Sequence, residues 1–187
     1  MIYPKKINAN KSEKIIRIAM IISLAIAVIL TIINKLTTPR VPWAALANSG
    51  IIYIWIVARY SVSQNVNIGG HVLIQTIAVS ILTLFIDYEL GYKGWSLGIA
   101  IPIILITANA SMLLLNILSY KKNFRYAMYE LVVLILSILP VVFITEKMVE
   151  NPTLSYISLG VSIINLIITM IISFKDIKEA VIRKFHM

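Results

Sequence analysis

Residues 95–118 read WSLGIAIPIILITANASMLLLNIL, twenty-four positions without one charged side chain. A helix needs about 20 apolar residues to cross roughly 30 Å of hydrocarbon, so this stretch predicts a membrane-spanning helix. Five further apolar runs lie outward from it: Ile15 to Ile33, Trp43 to Ala58, Val72 to Ile86, Ala127 to Thr145 and Leu154 to Phe174. The second and third are short, which local thinning of the bilayer or shelter by neighbours accommodates. The first run is longer than the apolar core of a signal peptide, and no small-x-small cleavage site follows before Asn34 and Lys35, so a retained anchor is expected.

The chain of 187 residues is 59% hydrophobic and 13% charged. So few polar side chains cannot cover the surface of a soluble domain of this size. The expected fold is an all-α polytopic membrane protein, a bundle of six transmembrane helices. Three parts follow: a short basic segment (1–14), the six-helix domain (15–174) and a basic amphipathic cytoplasmic tail (175–187), read as a helix on the inner headgroups with a Glu179 to Arg183 pair or, alternatively, as a continuation of the sixth helix into the cytoplasm.

Basic residues fall on alternate breaks. Lys5, Lys6, Lys11, Lys14, Arg17, Arg59, Lys121, Lys122, Arg125, Lys175, Lys178, Arg183 and Lys184 share one side, against Lys35, Arg40, Lys93 and Lys147 on the other. The positive-inside rule then places both termini in the cytoplasm. Asp87, Glu89, Glu146 and Glu150 fall on the basic-poor side, and aromatic anchors such as Trp43, Trp95, Tyr156, Tyr120, Phe124 and Tyr126 lie near the boundaries. The net charge of +9 is spread over loops between apolar runs, which points to anionic lipid headgroups as the partner and away from nucleic acid.

Polar residues inside the runs mark helix contacts. Ala19, Ser23, Ala27, Thr31 and Asn34 share one face of the first helix, Thr76, Ser80, Thr83 and Asp87 one face of the third, and Ser155, Ser158, Ser162, Asn165 and Thr169 one face of the sixth. Small and hydroxylated stripes are where membrane helices approach and hydrogen-bond. In the fourth helix Gly94, Gly98 and Pro102 share a face, and Asn109 and Asn116 stand two turns apart; Pro102 and Pro140 should kink helices four and five. Asn151 and Pro152 read as a cap and first position for the sixth.

Two sets of candidate site residues follow. Arg59, His71, Gln75 and Glu130 are expected to form a polar layer at the cytoplasmic side, with an Arg59 to Glu130 salt bridge or a proton or cation relay through Glu130 and His71. Asp87, Trp95, Asn109, Asn116 and Asn165 are candidate outer or pocket polar groups, with Asp87 placed to accept from backbone or from Trp95. Catalytic motifs such as HExxH, GxSxG or a phosphate-binding glycine loop are missing from the sequence, so no catalytic residue, enzyme activity or cofactor is expected. There is no cysteine, and His71 and His186 are too far apart in sequence to suggest a metal motif.

The segments Asn67-Ile68-Gly69, Leu73-Ile74-Gln75-Thr76, Ile86-Asp87-Tyr88 with Gly91, Gly94-Trp95-Ser96-Leu97, Ile101-Pro102 and Arg183-Lys184-Phe185-His186 resemble a bacterial family of uncharacterised six-helix membrane proteins. The resemblance covers residues 15–187 and implies the same architecture and a bacterial plasma-membrane location. Its members commonly open with a cytoplasmic zinc ribbon; Tyr3-Pro4-Lys5-Lys6 resembles a remnant of that opening with both cysteines lost and the rest of the ribbon deleted. Two functions stay open: a non-enzymatic accessory or interaction protein that docks another membrane protein, or a small-solute binding or transport protein resembling the six-helix substrate-binding subunits of vitamin transporters. The second would use the Ala19, Ser23, Ala27 seam for docking and Trp95, Asn109, Asn116 and Asn165 in a pocket.

Overall fold

The computed structural model describes the backbone of residues 9–62, 68–118, 123–145 and 152–185, with side chains for 14–60, 68–118, 128–144 and 152–171. The side chains of Tyr120, Lys121, Lys122, Phe124, Arg125, Tyr126, Glu146, Lys147, Glu150, Asn151, Glu179, Arg183 and His186, and all of Tyr3 to Lys6, lie outside the described residues. Among the described residues regular structure is helical throughout: α1 (Ala9–Thr37), α2 (Trp43–Val62), α3 (Ile68–Glu89), a π-helical turn (Ser96–Ala100) leading into α4 (Ile101–Leu118), α5 (Asn123–Thr145) and α6 (Thr153–Phe185).

The helix limits follow from breakers more than from hydropathy. Nothing between Ala9 and Thr37 interrupts helical backbone, so α1 starts within the basic segment expected to be separate and stops two residues before Pro39. The amino-terminal neighbours of Val72 are also helical, which lengthens α3 to 22 residues and removes the shortfall expected of it. α6 runs 33 residues through Phe185 without a break at Phe174. Of the two arrangements expected for the tail, the backbone is that of a continued helix: SFKDIKEAVIRKF contains no glycine or proline, and its Lys, Glu, Ala, Ile and Arg residues sustain a helix. Pro152 precedes α6, and its carbonyl accepts from Tyr156 N at 3.1 Å.

Four stretches are long and apolar enough to cross a membrane: Lys14–Thr37, Ile68–Glu89, Ser96–Leu118 and Thr153–Ile171; Met128–Ile144 in α5 is apolar but shorter. Burial is inverted relative to a water-soluble fold. Ser137, Ser155, Ser158, Ser162, Asn109, Asn116, Glu130 and Thr169 are buried, while Ile21, Leu24, Ile52, Ile81, Ile103, Leu114, Ile135 and Ile164 are exposed. Apolar side chains outward and polar ones paired inside are the pattern expected of helices long and apolar enough to cross a membrane.

The chain divides into two units, Met1–Ile56 and Val57–Met187. In the first, α1 and α2 form a hairpin whose turn is held by Asn34: its Nδ2 donates to the carbonyls of Thr38 and Val41, each at 2.8 Å, and its Oδ1 accepts from Ala44 N at 3.0 Å. Trp43 Nε1 donates to Thr38 Oγ1 at 2.8 Å across the same turn. In the second, α4 is central, packed by α3, α5 and α6. Its face Leu97, Ile101, Leu105 and Ala108 meets Val133, with Val72, Leu73, Leu84, Leu136, Phe143 and Ile144 around them.

The wide turn at the start of α4 has a cause in Pro102. Proline lacks the N–H that would bond the Gly98 carbonyl, and its ring crowds that carbonyl. The preceding backbone widens instead, with Ile101 N–H donating to Ser96 O, five residues back. Upstream, the α3 to α4 loop turns through three positive φ angles, Gly91 at 91°, Tyr92 at 47° and Gly94 at 74°. A Cβ added at Gly91 would meet nothing within 4 Å, so its glycine is required by backbone conformation alone. Gly91→Ala is therefore expected to destabilise by about 1–2 kcal/mol, measured as a lowered unfolding midpoint in detergent, with Gly50→Ala, which also meets open space but has a helical backbone, neutral or mildly stabilising.

Candidate functional site

The buried polar residues of the second unit assemble on α4, α5 and α6 in two layers. In the first layer Asn109 Nδ2 donates to Ser162 Oγ at 2.7 Å and to the Leu105 carbonyl at 2.8 Å. Ser162 Oγ and Ser137 Oγ lie 2.7 Å apart, and Asn165 Nδ2 donates to the Asn109 carbonyl at 2.9 Å. In the second layer Asn116 Nδ2 donates to Glu130 Oε1 at 3.0 Å and to Thr169 Oγ1 at 2.6 Å.

The layers repeat. Asn109 and Asn116 are seven residues apart on α4, as are Ser162 and Thr169 on α6 and Ser137 and Glu130 on the oppositely directed α5. Seven residues are two turns, about 10.5 Å of rise, so the three helices keep their faces together over that length. Each layer uses an asparagine from α4 and a hydroxyl from α6. They differ at α5, where one has a serine and the other a glutamate. Buried acceptors are left over: Asn116 Oδ1, Glu130 Oε2, Asn165 Oδ1 and Ser155 Oγ have no partner.

The expected cytoplasmic layer of four does not come together. Glu130 is 1% exposed and bonded to Asn116, whereas Arg59 and Gln75 are exposed. The salt bridge expected between Arg59 and Glu130 does not form, because Glu130 is turned into the α4 and α6 contact. His71 is half-buried with its ring edge-to-face on Tyr60, centroids 5.2 Å apart and planes at 84°. Of the outer and pocket set, Asn109 and Asn165 come together in the first layer, while Asn116 lies two turns away in the second, bonded to Glu130 and Thr169. Among the described residues no group of three or more His, Cys, Asp or Glu is placed to hold a metal ion.

Asp87 and Trp95 belong to a different structure. Asp87 is fully buried; its Oδ1 accepts from Lys93 N at 2.9 Å and its Oδ2 from Ser96 N at 3.1 Å and Ser96 Oγ at 2.7 Å. Trp95 sits at the cap position ahead of the π turn but makes no capping bond with its side chain. Asp87 therefore does the work of a helix cap from nine residues upstream, and the bond considered from Trp95 is replaced by those from Ser96 and Lys93. These bonds tie the Ile-Asp-Tyr segment to the Gly-Trp-Ser-Leu segment.

In the first unit the predicted α1 stripe is the α2 contact. Trp55 Nε1 donates to Ser23 Oγ at 2.7 Å, and Asn48 Nδ2 donates to Thr31 Oγ1 at 3.0 Å. Beside this contact an open groove of about 330 Å³ is lined by Ala27, Val28, Thr31, Ile32, Lys35 and Asn48. Sequence reasoning missed Asn48, Trp55 and Ser137. The signal for Ser137 was present: Glu130, Val133, Ser137 and Pro140 follow one another by three, four and three residues on α5, and all are buried.

A family of unknown function, DUF6320, matches residues 3–187. The chain belongs to this family. The match takes in the basic segment from Tyr3, upstream of the region on which the sequence resemblance rested, and agrees with an uncharacterised family. No curated protein and no solved structure matches the DUF6320 chain.

Two outcomes test these sites. Asn109→Leu removes the bonds to Ser162 and Leu105, and is expected to cost about 1–2 kcal/mol against about 0.6 for Ser137→Ala, by reversible unfolding in mixed micelles. Asp87→Asn turns an amide N–H₂ toward backbone donors and should cost about 2 kcal/mol, read as a lower thermal midpoint.

Proposed function

We propose that this DUF6320 protein is a non-enzymatic accessory protein of the bacterial plasma membrane, and that its α1–α2 hairpin docks a transmembrane helix of another membrane protein. The observation that supports this reading is the groove over Ala27 and Thr31. Small residues let a partner backbone come close, Val28 and Ile32 are each half exposed beside them, and Lys35 closes one end with a positive charge. A partner helix with a small-residue face and an acidic residue one or two turns along it matches that lining. Both termini are assigned to the cytoplasm on the distribution of Lys and Arg over the breaks.

The solute-binding alternative draws less support. Three of its four pocket residues are bonded into the contacts of α4 with α5 and α6.

A photoreactive side chain placed at Val28 or Ile32 in native membranes tests the docking surface. Crosslinking to one protein species is expected at both, with lipid adducts alone at Ile103, which is equally exposed on α4. Lipid adducts alone at all three positions would overturn the assignment.

A further inference from the structure

We propose that Glu130 is a proton-binding site: a neutral carboxylic acid that shares its proton with Asn116 and holds α4, α5 and α6 together while the proton stays. This goes beyond the docking role and rests on different residues.

The hydrogen-bond inventory carries the inference. Asn116 uses both amide hydrogens, one to Glu130 Oε1 and one to Thr169 Oγ1. What remain are Asn116 Oδ1 and Glu130 Oε2, two buried acceptors on groups already joined by one bond, and neither has a partner. Two acceptors cannot satisfy each other. A single proton on Oε2 makes it a donor, and an acid and a carboxamide then present complementary edges: N–H to Oε1 in one direction, O–H to Oδ1 in the other. One proton thus satisfies both leftover atoms.

Among the described residues, the helices packed around Glu130 offer it no cationic partner. α4 (Ile101–Leu118) has no ionisable residue, and neither does the π turn before it. The described side chains of α6 include Tyr156 alone, and α3 contributes His71, Asp87, Tyr88 and Glu89. Of these His71 packs on Tyr60 and Asp87 is spent on the α4 cap. Tyr129 is the described titratable neighbour of Glu130 on α5, and Arg59 is exposed. Among the described residues an ionised Glu130 would be an unpaired charge buried between apolar helix faces, which such an environment opposes.

In the sister layer the α5 position equivalent to Glu130 holds Ser137, a neutral side chain whose hydroxyl lies 2.7 Å from Ser162 Oγ and donates to the Val133 carbonyl at 2.9 Å. A protonated Glu130 makes its layer neutral as well; a carboxylate does not. Loss of the proton leaves Glu130 Oε2 on α5 and Asn116 Oδ1 on α4 both without a donor, so the packing loosens as pH rises.

The test uses the full chain in lipid nanodiscs with glutamate carrying ¹³C at its side-chain carboxyl. Infrared difference spectra of the wild type are expected to show a protonated-glutamate carbonyl band at neutral pH, absent from Glu130→Gln, that converts to carboxylate as pH is raised. Glutamine keeps an N–H where the acid has O–H, so Glu130→Gln should unfold at the wild-type midpoint at low pH and lack the wild-type fall in midpoint at high pH. Absence of the protonated band in the wild type at neutral pH would overturn the proposal. So would its loss on adding sodium chloride in place of choline chloride at fixed pH, which would make a metal ion the occupant. Because the band and its titration are read in the wild type, a poorly folding variant does not remove the test.

Discussion

A buried amide side chain has no water to turn to, and at Asn109 and Asn116 that constraint sets how three helices stand against one another. Each must find acceptors on a neighbour, and each does so on α6 within 2.7 Å. Because the two are separated by two turns, the partners Ser162 and Thr169 must be separated by two turns as well, which fixes the axial register of α6 on α4. A slip of one residue would turn both amides toward apolar side chains at once. Leucines in the same places would pack at many registers; the asparagines admit one. The apolar contacts of Leu105, Ala108 and Val133 then fill the space that the polar layers define.

The same rule operates in the α1–α2 hairpin with different residues. Asn34 replaces the turn hydrogen bonds that Pro39 and Pro42 cannot donate, reaching Thr38, Val41 and Ala44. Further along, Asn48 and Trp55 bond hydroxyls of α1 three turns of helix apart or less, so the hairpin is clasped at its turn and again along its length. Membrane hydrogen bonds of this kind average only about 0.6 kcal/mol. Their value here lies in selecting one register for two otherwise greasy helices.

Hydropathy and spacing made six helices and the stripes on α1, α4 and α6 legible, because membrane helices advertise their contact faces by small and polar residues at spacings of three and four. The α5 stripe was harder to see. Its members, Glu130, Val133, Ser137 and Pro140, share no chemistry, and only the rotation angle unites them. Glu130 was paired with Arg59 because opposite charges at similar depth attract on paper; helix rotation, which depth does not encode, gave it to Asn116 instead. The limits of α1 and α6 were drawn at changes in polarity, whereas a helix ends at a breaker or a cap, and neither exists near Phe174. Asp87 was recognised as a loop residue, but its partner Ser96 could not be chosen over Trp95 without the fold of the intervening glycines.

That loop also bears on the polar layers. α4 can present Asn109 and Asn116 to α6 only if it leaves the loop with the right rotation about its axis. Two features set that rotation: Asp87 pins Ser96 at the first position, and the π turn ahead of Pro102 adds one residue before regular α-helix begins. One residue is about 100° of α-helical rotation. Were Pro102 replaced by a residue with an N–H, its bond to Gly98 would favour an ordinary α-helical start, and the face carrying Asn109 and Asn116 would turn relative to the pinned Ser96. The helix would then have to give up either the Asp87 cap or its bonds to α6. The wide turn, the buried aspartate and the two amide layers are therefore one mechanical system, with the loop fixing the phase that the asparagines require.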